Sequence, residues 1–341
     1  MTPVISICIP TYNRAKMLSE LLDSIMNQEN VDDIEIIISD DASTDDTISI
    51  ANLYSHSFKN YKLISQKTNL GIDGNFLAVV AAATSPYIWL MGDDDRLEPG
   101  SIRRLLDAIE LWPDAVGFTL GVIDYDITMR TAVGIRATPP TQLMTGSKAV
   151  FSTIADLLGF MSALVVKRDL WNQEINDPKI KSITNYYVQV IILGRIIGEN
   201  GQWGVIQPPC VGFRTGNDQL QARYGWLKRL KIDAQAYGEI EHILFADAPE
   251  TRAIMRKRIF NTHIMARVMN AKTTTEPTDG IISAIIFLAK NYGTLPSYWI
   301  IAVPLLISPK WFVRFYRGLY RSYFKSSGTN RASLNQGARG R

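Results

Sequence analysis

The stretch YIWLMGDDDRLEPGSI (87–102) places an apolar run directly before three consecutive carboxylates, Asp93 to Asp95. Four other apolar runs rich in β-branched residues share its character: VISICI (4–9), IEIIIS (34–39), YKLIS (61–65) and AVGFTLGV (115–122). Segments with helical spacing separate them, at about 14–28, 45–57, 72–83 and 99–111. Runs that are apolar throughout suit strands covered on both sides. The sequence therefore predicts an α/β fold, with a mostly parallel sheet and helices on both faces.

The three carboxylates follow the strand at 87–91, and ligands of such sheets collect at the carboxyl ends of strands. Adjacent carboxylates raise one another's pKa unless a cation or hydrogen-bond donors compensate. Oxygen ligands suit Mg²⁺ or Mn²⁺, so we predict a divalent metal here. The alternative is a polar turn that caps the next helix.

A second acidic cluster, DDASTDDT (40–47), follows the run IEIIIS. Asp40 and Asp41 stand at the predicted strand end, and we expect them to contact a substrate, with helix capping in a solvated turn as the alternative. Asp45 and Asp46 fit helix capping and a solvated turn instead.

Four segments, in this order and spacing, resemble the nucleotide-sugar-binding half of the family 2 glycosyltransferases, which have the GT-A fold. They are ISICIPTYNR (5–14), EIIISDDASTDDT (35–47), NLGIDGNF (69–76) and YIWLMGDDDRLEPGSI (87–102). Two later segments, SALVVKRDLW (162–171) and PPCVGFRTGN (208–217), resemble the acceptor side of bacterial O-antigen glycosyltransferases of the abequosyltransferase-like subgroup. The resemblance implies a glycosyltransferase domain over 1–217, with a nucleotide-sugar half at 1–123 and an acceptor half at 124–217.

The resemblance also implies roles for single residues on the donor side. Pro10 and Tyr12 match the loop after the first strand, where the ring lies near the nucleobase, although Tyr12 also fits an ordinary half-buried tyrosine. Asp41 matches the carboxylate set against the base edge. A carboxylate only accepts hydrogen bonds, which favours UDP or dTDP donors over CDP. A last group matches the loop beside the donor or, alternatively, a turn before a helix: Asn69, Gly71 and Asp73.

The acidic turn matches the family's Asp-x-Asp region with one departure. Gly92 stands at the first acidic position when Pro99 and Gly100 fix the alignment. The resemblance implies that Asp95 and Asp93 bind the metal and that Asp94 faces the sugar or ribose. In the family's usual inverting reaction the metal neutralises charge on the departing diphosphate.

The catalytic base is missing from its expected place. The family supplies a Glu-Asp pair at the start of the helix after the SALVVKRDLW-type strand, but this chain reads SITNYYVQVIILGR (182–195). Tyr186, Tyr187 and Gln189 stand where acid is expected. Asp177 is the nearest upstream carboxylate, and we assign it as the candidate base. The alternative is a surface aspartate in a turn before Pro178.

We predict a helical C-terminal region over 218–325, whose end is basic and carries a membrane-associating amphipathic helix. PKWFVRFYRGLYRSYFK (309–325) spaces five cationic residues by three or four, which on a helix makes one cationic stripe among aromatic side chains. This pattern is typical of a helix at an anionic membrane surface, and the alternative is a helix docked on the protein. LPSYWIIAVPLLI (295–307) is too short to span a bilayer. We expect residues 326–341 to be disordered.

Composition and motifs exclude several other classes of protein. The chain has 341 residues, of which 46% are hydrophobic and 20% charged, as in ordinary globular proteins. Two cysteines cannot make a disulfide framework, and the first residues lack a secretory signal, so we expect a cytoplasmic protein at the inner face of the membrane. No P-loop, G-x-S-x-G or G-x-G-x-x-G motif occurs. The basic clusters at 228–231 and 256–258 fit solvated helix faces, so no nucleic-acid partner is expected.

The sequence thus predicts an enzyme that moves a sugar from a nucleotide-diphosphate donor to a polyprenyl-diphosphate-linked glycan in O-antigen-like polysaccharide biosynthesis. Two alternatives stay open. A sugar-nucleotide nucleotidyltransferase should carry a glycine-rich phosphate loop, which PTYNRAK (10–16) lacks. A non-catalytic nucleotide-sugar-binding subunit would explain the missing base.

Overall fold

Ten strands and thirteen α-helices occur in the computed structural model, which describes residues 2–273 and 279–315. The strands are β1 Ile5–Thr11, β2 Ile34–Asp40, β3 Tyr61–Ser65, β4 Tyr87–Leu90, β5 Arg96–Leu97, β6 Gly117–Tyr125, β7 Ala132–Ile135, β8 Gln142–Thr145, β9 Leu164–Lys167 and β10 Gln202–Arg214. The helices are α1 Ala15–Met26, α2 Thr47–Leu53, α3 Gly71–Ala81, α4 Ser101–Leu111, α5 Gly146–Ile154, α6 Arg168–Glu174, α7 Pro178–Lys181, α8 Val188–Ile197, α9 Gln219–Leu244, α10 Pro249–Ile259, α11 Met265–Thr273, α12 Ile281–Tyr292 and α13 Val303–Ile307. Two π-helical turns lie at Phe260–Ile264 and Tyr298–Ala302.

All ten strands join one sheet in the order β3-β2-β1-β4-β9-β6-β10-β5, with β7 beside β6 and β8 beside β10. The strands from β3 to β4 pair in parallel, and so do β6 and β10. β9 runs antiparallel to both β4 and β6. The predicted α/β class is confirmed, and the sheet becomes mixed beyond β4. The carboxyl ends of β1, β2, β4, β6 and β10 consequently share one edge.

Both faces of β1 are buried, as a run that is apolar throughout requires. Ile5, Ile7 and Ile9 point to a core that α1 and α4 complete, while Cys8 on the opposite face is equally inaccessible to solvent. Each fully buried isoleucine contributes about 1.5–3 kcal/mol relative to an exposed one. Cys8 and Cys210 are buried free thiols, consistent with the absence of a disulfide framework.

The sequence predicts a turn-rich loop over 207–218, and the structure corrects this prediction. β10 continues to Arg214, with register shifts on both sides of Pro209. Proline has no N–H to donate, so a bulge accommodates it within the strand. The longer strand carries Arg214 to the edge that holds the acidic clusters.

The described residues divide into two compact units, one formed by 2–219 and 236–258 and the other by 220–235, 259–273 and 279–315. The predicted domain boundary at residue 217 stays a prediction. In the second unit the ring of Phe260 packs against Tyr292 at a centroid distance of 4.9 Å. No helix among the described residues is long and apolar enough to cross a membrane. Most of the predicted cationic helix at 309–325 and all of 326–341 lie outside the described residues.

Candidate active site

The loops that follow β1 and β2 are bound to each other. The backbone N–H of Asn13 donates to Ser43 Oγ at 2.8 Å, and the Asn13 side-chain oxygen accepts from the N–H of Thr44 at 2.8 Å. Asn13 has a φ of 52°, a conformation that is uncommon for a residue other than glycine and that concentrates at functional loops. Pro10 lies near the end of β1, and the neighbouring Tyr12 side chain is 42% exposed. This edge therefore offers an accessible aromatic ring on a fixed loop.

Asp41 holds the loop before α3 against the end of β2. Its buried carboxylate accepts hydrogen bonds from the backbone N–H groups of Leu70, at 2.6 Å, and Gly71, at 3.1 Å. The Asn69 side chain donates to the Asp41 carbonyl at 3.1 Å. Gly71 has a φ of 76°, which glycine adopts without strain. The structure thus brings together Asp41, Asn69 and Gly71, and their contact with a donor stays a prediction.

Asp40 is fully buried beside this cluster. One carboxylate oxygen accepts from the Ser43 N–H at 3.0 Å. The other, Oδ1, is buried and has no hydrogen-bond partner among the residues at 2–273 and 279–315. An orphaned acceptor at a strand end is unusual in proteins and is typical of a position completed by ordered water or by a ligand donor.

Asp93 lies where the ends of β1 and β4 meet. Its Oδ2 accepts from Thr11 Oγ1 at 2.8 Å, and the Arg14 guanidinium is 4.0 Å from its Oδ1. The side chain is only 13% exposed. Burial, together with the charge of Asp94, raises the pKa of Asp93 to about 7 although Arg14 and Thr11 oppose the shift. A carboxylate in these surroundings favours a further positive charge nearby.

Asp95 is the most buried member of the acidic turn, with 2% of its surface exposed. It accepts from Ser162 Oγ at 2.5 Å and from the Arg214 backbone N–H at 3.2 Å. Burial and the neighbouring Asp94 raise the pKa of Asp95 well above its usual range. Asp94 in turn accepts from the Asn217 side chain at 2.5 Å. The three predicted carboxylates therefore lie together at the sheet edge, each with a protein donor.

Gly92 keeps a space clear inside the acidic turn. A Cβ atom there would lie 3.2 Å from Asp94 Oδ1, 3.2 Å from Asp95 Oδ2 and 3.1 Å from Ser162 Oγ. Oxygens of two carboxylates thus flank one point. Proteins usually bind Mg²⁺ through one or two carboxylates together with substrate phosphates. Within the described residues, no three His, Cys, Asp or Glu side chains form a complete metal-binding group. The turn fits an ion shared with a diphosphate.

Arg214 has no role in the predictions drawn from sequence, yet it fixes the acidic turn. Its guanidinium is almost completely buried and donates to the backbone carbonyls of Asp94, at 2.9 Å, and Ile127, at 2.8 Å. It also pairs with the Glu20 carboxylate at 2.5 Å. Arg214 lies in PPCVGFRTGN, a segment whose resemblance to other glycosyltransferases indicates a site residue. Its partners, about 120 and 194 residues away, cannot be inferred from spacing.

Asp73 joins the first turn of α3 to the segment that precedes α8. Its carboxylate accepts from the backbone N–H of Tyr186 at 3.2 Å. Tyr186 has a φ of 67°, another uncommon conformation. Burial raises the pKa of Asp73, in opposition to this hydrogen bond. A residue predicted beside the donor thus contacts the segment where the resemblance places the base.

Asp177 lies at the start of the short helix α7. Its carboxylate accepts from the Lys179 N–H at 2.9 Å and from the Arg195 guanidinium at 2.9 Å. These contacts, the Lys179 hydrogen bond first, lower the pKa of Asp177. A carboxylate with a lowered pKa is a weak proton acceptor. The geometry corresponds to the turn alternative, and the assignment of Asp177 as the base stays a prediction.

Comparison with known proteins assigns the family. The model of glycosyl transferase family 2 matches residues 6–164. Abequosyltransferase RfbV of Salmonella typhimurium is 31% identical to this chain over 280 residues, which is 77% of the chain and 80% of RfbV. The chain belongs to glycosyltransferase family 2. It is therefore a glycosyltransferase, as the four amino-terminal segments predict.

A further relative and two solved structures are also similar to this chain. A Campylobacter jejuni GalNAc(5)-diNAcBac-PP-undecaprenol beta-1,3-glucosyltransferase is 34% identical over 105 residues, 30% of this chain and 34% of the relative. The structure of S. aureus TarS 1–349 with UDP-GlcNAc superposes with a TM-score of 0.59 and 17% identity, covering 95% of this chain and 92% of TarS 1–349. The structure of the mannosyltransferase PcManGT from Pyrobaculum calidifontis with GDP-Man and Mn²⁺ superposes with a TM-score of 0.52 and 15% identity. The superposition covers 94% of this chain and 88% of PcManGT. The predicted GT-A-like architecture is confirmed.

Proposed function

We propose that this family 2 glycosyltransferase moves one sugar from a nucleotide-diphosphate donor to a lipid-linked glycan during synthesis of a surface polysaccharide of the O-antigen type. The observation that carries the proposal is the acidic turn Asp93–Asp95 at the carboxyl edge shared by β1, β2 and β4. The name of RfbV supports a sugar transfer of this kind, and the name of the Campylobacter relative includes an undecaprenol-linked glycan.

The nucleotide is proposed to bind between the ends of β1 and β2. The exposed ring of Tyr12 is available to stack on a base, and Asp41 lies at the end of the neighbouring strand. A carboxylate has about four lone-pair sites, so the Asp41 carboxylate retains acceptor capacity beyond its bonds to Leu70 and Gly71. An acceptor suits the N3–H of uracil or thymine, which favours UDP or dTDP over CDP.

A divalent cation, Mg²⁺ or Mn²⁺, is proposed to bind the acidic turn. Asp95 and Asp93 are the proposed ligands. Asp95 and Asp94 each present an oxygen to the space that Gly92 keeps clear. When bound, the ion neutralises charge on the departing diphosphate. Arg14, close to Asp93, adds a fixed positive charge on the same side of the sheet edge. Thr11, Ser162 and Arg214 orient the carboxylates before any ligand arrives.

The proposed reaction is a displacement at the anomeric carbon with inversion. An acceptor hydroxyl forms the new C–O bond, the bond to the diphosphate oxygen breaks with its electron pair, and a protein carboxylate takes the hydroxyl proton. A positioned base of this kind contributes roughly 10²- to 10⁴-fold to the rate.

Two carboxylates compete for the role of base. Asp177 is engaged by Arg195 and has a lowered pKa. Asp73 is largely buried, has a raised pKa, and contacts Tyr186 in the segment where the family supplies its base. We therefore favour Asp73. Asp73→Asn is expected to lower kcat by at least about 10²-fold with little change in donor binding, whereas Asp177→Asn should lower kcat by less than about threefold.

A single-turnover assay tests the proposed function. Full-length protein is mixed with one of UDP-, dTDP-, CDP- or GDP-sugars and an undecaprenyl-diphosphate-linked oligosaccharide, and released nucleotide and glycosylated lipid are quantified together. Equal amounts of both support the proposal. Nucleotide release without a glycosylated lipid would indicate hydrolysis. Donor binding with neither product would favour the non-catalytic subunit.

The lipid-linked acceptor places the proposed reaction at the inner face of the cell membrane. The predicted membrane contact at 309–325 is described only as far as Phe315, where residues 310–315 are helical.

A further inference from the structure

Three helical segments of the second unit expose an unusual number of large apolar side chains. Of the twenty large hydrophobic residues that are exposed among the described residues, nine fall within 281–315. We name these nine exposed side chains together the apolar face; its members are Ile282, Ile286, Trp299, Ile300, Ile301, Ile307, Trp311, Phe312 and Phe315. Contiguous exposed apolar surface marks sites that bind a partner or a membrane, and nine such residues within 35 positions of sequence make this segment a candidate.

The apolar face is separate from the side chains that hold the second unit together. In α12 the buried positions Ala284, Leu288 and Tyr292 recur every four residues, as a core-facing stripe does. Ile282 and Ile286 follow the same spacing on another side of the helix and are 74% and 65% exposed. The core of the unit therefore does not account for them.

The π-helical turn Tyr298–Ala302 shows the same division. Tyr298 is buried, and its hydroxyl donates to the Ile285 carbonyl at 2.7 Å, which fixes the turn against α12. The next three side chains, Trp299, Ile300 and Ile301, are 57%, 72% and 53% exposed. The packing of Tyr298 thus holds three consecutive apolar side chains toward solvent.

Charge in this part of the chain has one sign only. Between Gly280 and Arg341 the sequence contains nine Lys or Arg and no Asp or Glu. Lys290 follows Ile282 and Ile286 at the same four-residue spacing and is exposed, as is Arg314 between apolar neighbours. Cations beside exposed Ile, Phe and Trp suit an anionic lipid surface, where aromatic rings lie at headgroup depth.

We infer that the apolar face binds an anionic lipid bilayer from one side, without crossing it. The bilayer is favoured over a protein partner because the charge is uniformly positive. The inference deepens the proposed function, on which it rests for its lipid-linked acceptor. It extends the membrane contact predicted at 309–325 to exposed residues between Ile282 and Ile307.

Vesicle flotation with the full chain tests the inference. The protein should float with vesicles of phosphatidylglycerol and phosphatidylethanolamine, less with pure phosphatidylcholine, and less again in 1 M salt. The triple variant W299S/I300S/I301S should bind anionic vesicles at least about tenfold more weakly, because three apolar contacts are lost while all positive charges remain. A matched control, L53S/L111S/I135S, replaces three similarly exposed residues of the first unit and should float like wild type.

Several outcomes would overturn the inference. Wild-type protein that stays unbound with anionic vesicles contradicts it, as does undiminished binding by a triple variant whose circular dichroism matches wild type. A wild-type dimer that the triple substitution dissociates would assign the face to a second copy of the chain. Flotation requires no catalysis, and Asp93→Asn should float normally. Loss of transfer with normal flotation would therefore count against the proposed function alone.

Discussion

Ser162 donates a hydrogen bond of 2.5 Å to the buried carboxylate of Asp95, across 67 positions of sequence. The same hydroxyl oxygen accepts from the Gly92 backbone N–H at 2.9 Å. Antiparallel pairing of β4 with β9 brings the two turns together. One side chain thus fixes both the first residue of the acidic turn and its last carboxylate.

Replacing Ser162 with alanine is expected to lower the free energy of unfolding by about 1–3 kcal/mol, because a buried carboxylate oxygen and a backbone N–H lose their partner. Urea denaturation measures the change. Ser57→Ala, at an exposed position, should stay within about 0.5 kcal/mol of wild type. Equal effects of the two substitutions would contradict the structural role of Ser162.

Substitution of Gly92 tests whether the clear space in the acidic turn is needed for stability and for metal-dependent donor binding. Gly92→Ala should destabilise the protein by about 1–3 kcal/mol and weaken metal-dependent donor binding, because its Cβ would crowd three oxygens. Gly134→Ala is the matched control, since nothing lies within 4 Å of a Cβ there. Gly92→Asp restores the acidic residue of the family pattern. Stronger metal-dependent binding in that variant would show that the space is not needed.

Asp41 is expected to hold the donor loop and to contact the base. In Asp41→Asn one of the two N–H donors, Leu70 or Gly71, faces an amide nitrogen in place of an oxygen. Affinity for the preferred nucleotide, measured by calorimetry, should fall by about tenfold or more, since a hydrogen bond to a charged group contributes about 1.5–3 kcal/mol. The exposed Asp46→Asn should bind like wild type. Unchanged affinity in Asp41→Asn would exclude this role.

The surroundings of Asp233, in the second unit, predict how the stability of the protein depends on pH. The carboxylate is fully buried, and although burial opposes the shift, His263, Arg267 and Arg229 lower its pKa well below the usual range. Arg267 Nε donates to it at 2.7 Å and His263 Nε2 lies 3.1 Å away. The pKa of Asp233 is therefore lower in the folded protein than in the unfolded chain, where it is about 4. Its contribution to the free energy of unfolding is complete above about pH 4 and is lost as the pH falls below that value.

Asp233→Asn should accordingly cost about 3–5 kcal/mol at pH 7, because buried cations lose their counter-ion. The difference from wild type should shrink between pH 4 and pH 2, as measured by urea denaturation across this range. Asp107→Asn, which breaks an exposed pair with Arg103, should change stability by less than about 1 kcal/mol. A pH-independent difference for Asp233→Asn would contradict the assignment.

The strands that build the site could be predicted from sequence because their apolar runs are short, rich in β-branched residues and separated by segments with helical spacing. The acidic residues at 40–41 and 93–95 follow from the same pattern, since parallel strands end at one edge. Ser162 and Arg214 could not be predicted, because their roles depend on pairings across 67 and 119 positions.

The remaining differences also have physical causes. The two adjacent prolines at 208 and 209 suggested a loop, whereas a bulge kept the strand intact. In the run at 295–307 buried and exposed positions are both apolar, so the sequence alone does not show which residues face solvent. The hydrogen bond from Tyr186 to Asp73 is donated by a backbone N–H, so the residue type at position 186 does not predict it.

The central claim is that the acidic turn binds the donor diphosphate through a divalent ion. The most direct measurement is the thermal shift given by UDP-, dTDP-, CDP- and GDP-sugars with and without Mn²⁺, for wild type, Asp93→Asn, Asp95→Asn and the control Asp107→Asn. At a ligand concentration of about 100 times Kd, binding adds about 2.7 kcal/mol, which raises Tm measurably. We predict a Mn²⁺-dependent increase with one donor in wild type and the control, and its loss in both site variants. An intact Mn²⁺-dependent shift in Asp95→Asn and Asp93→Asn would contradict the claim.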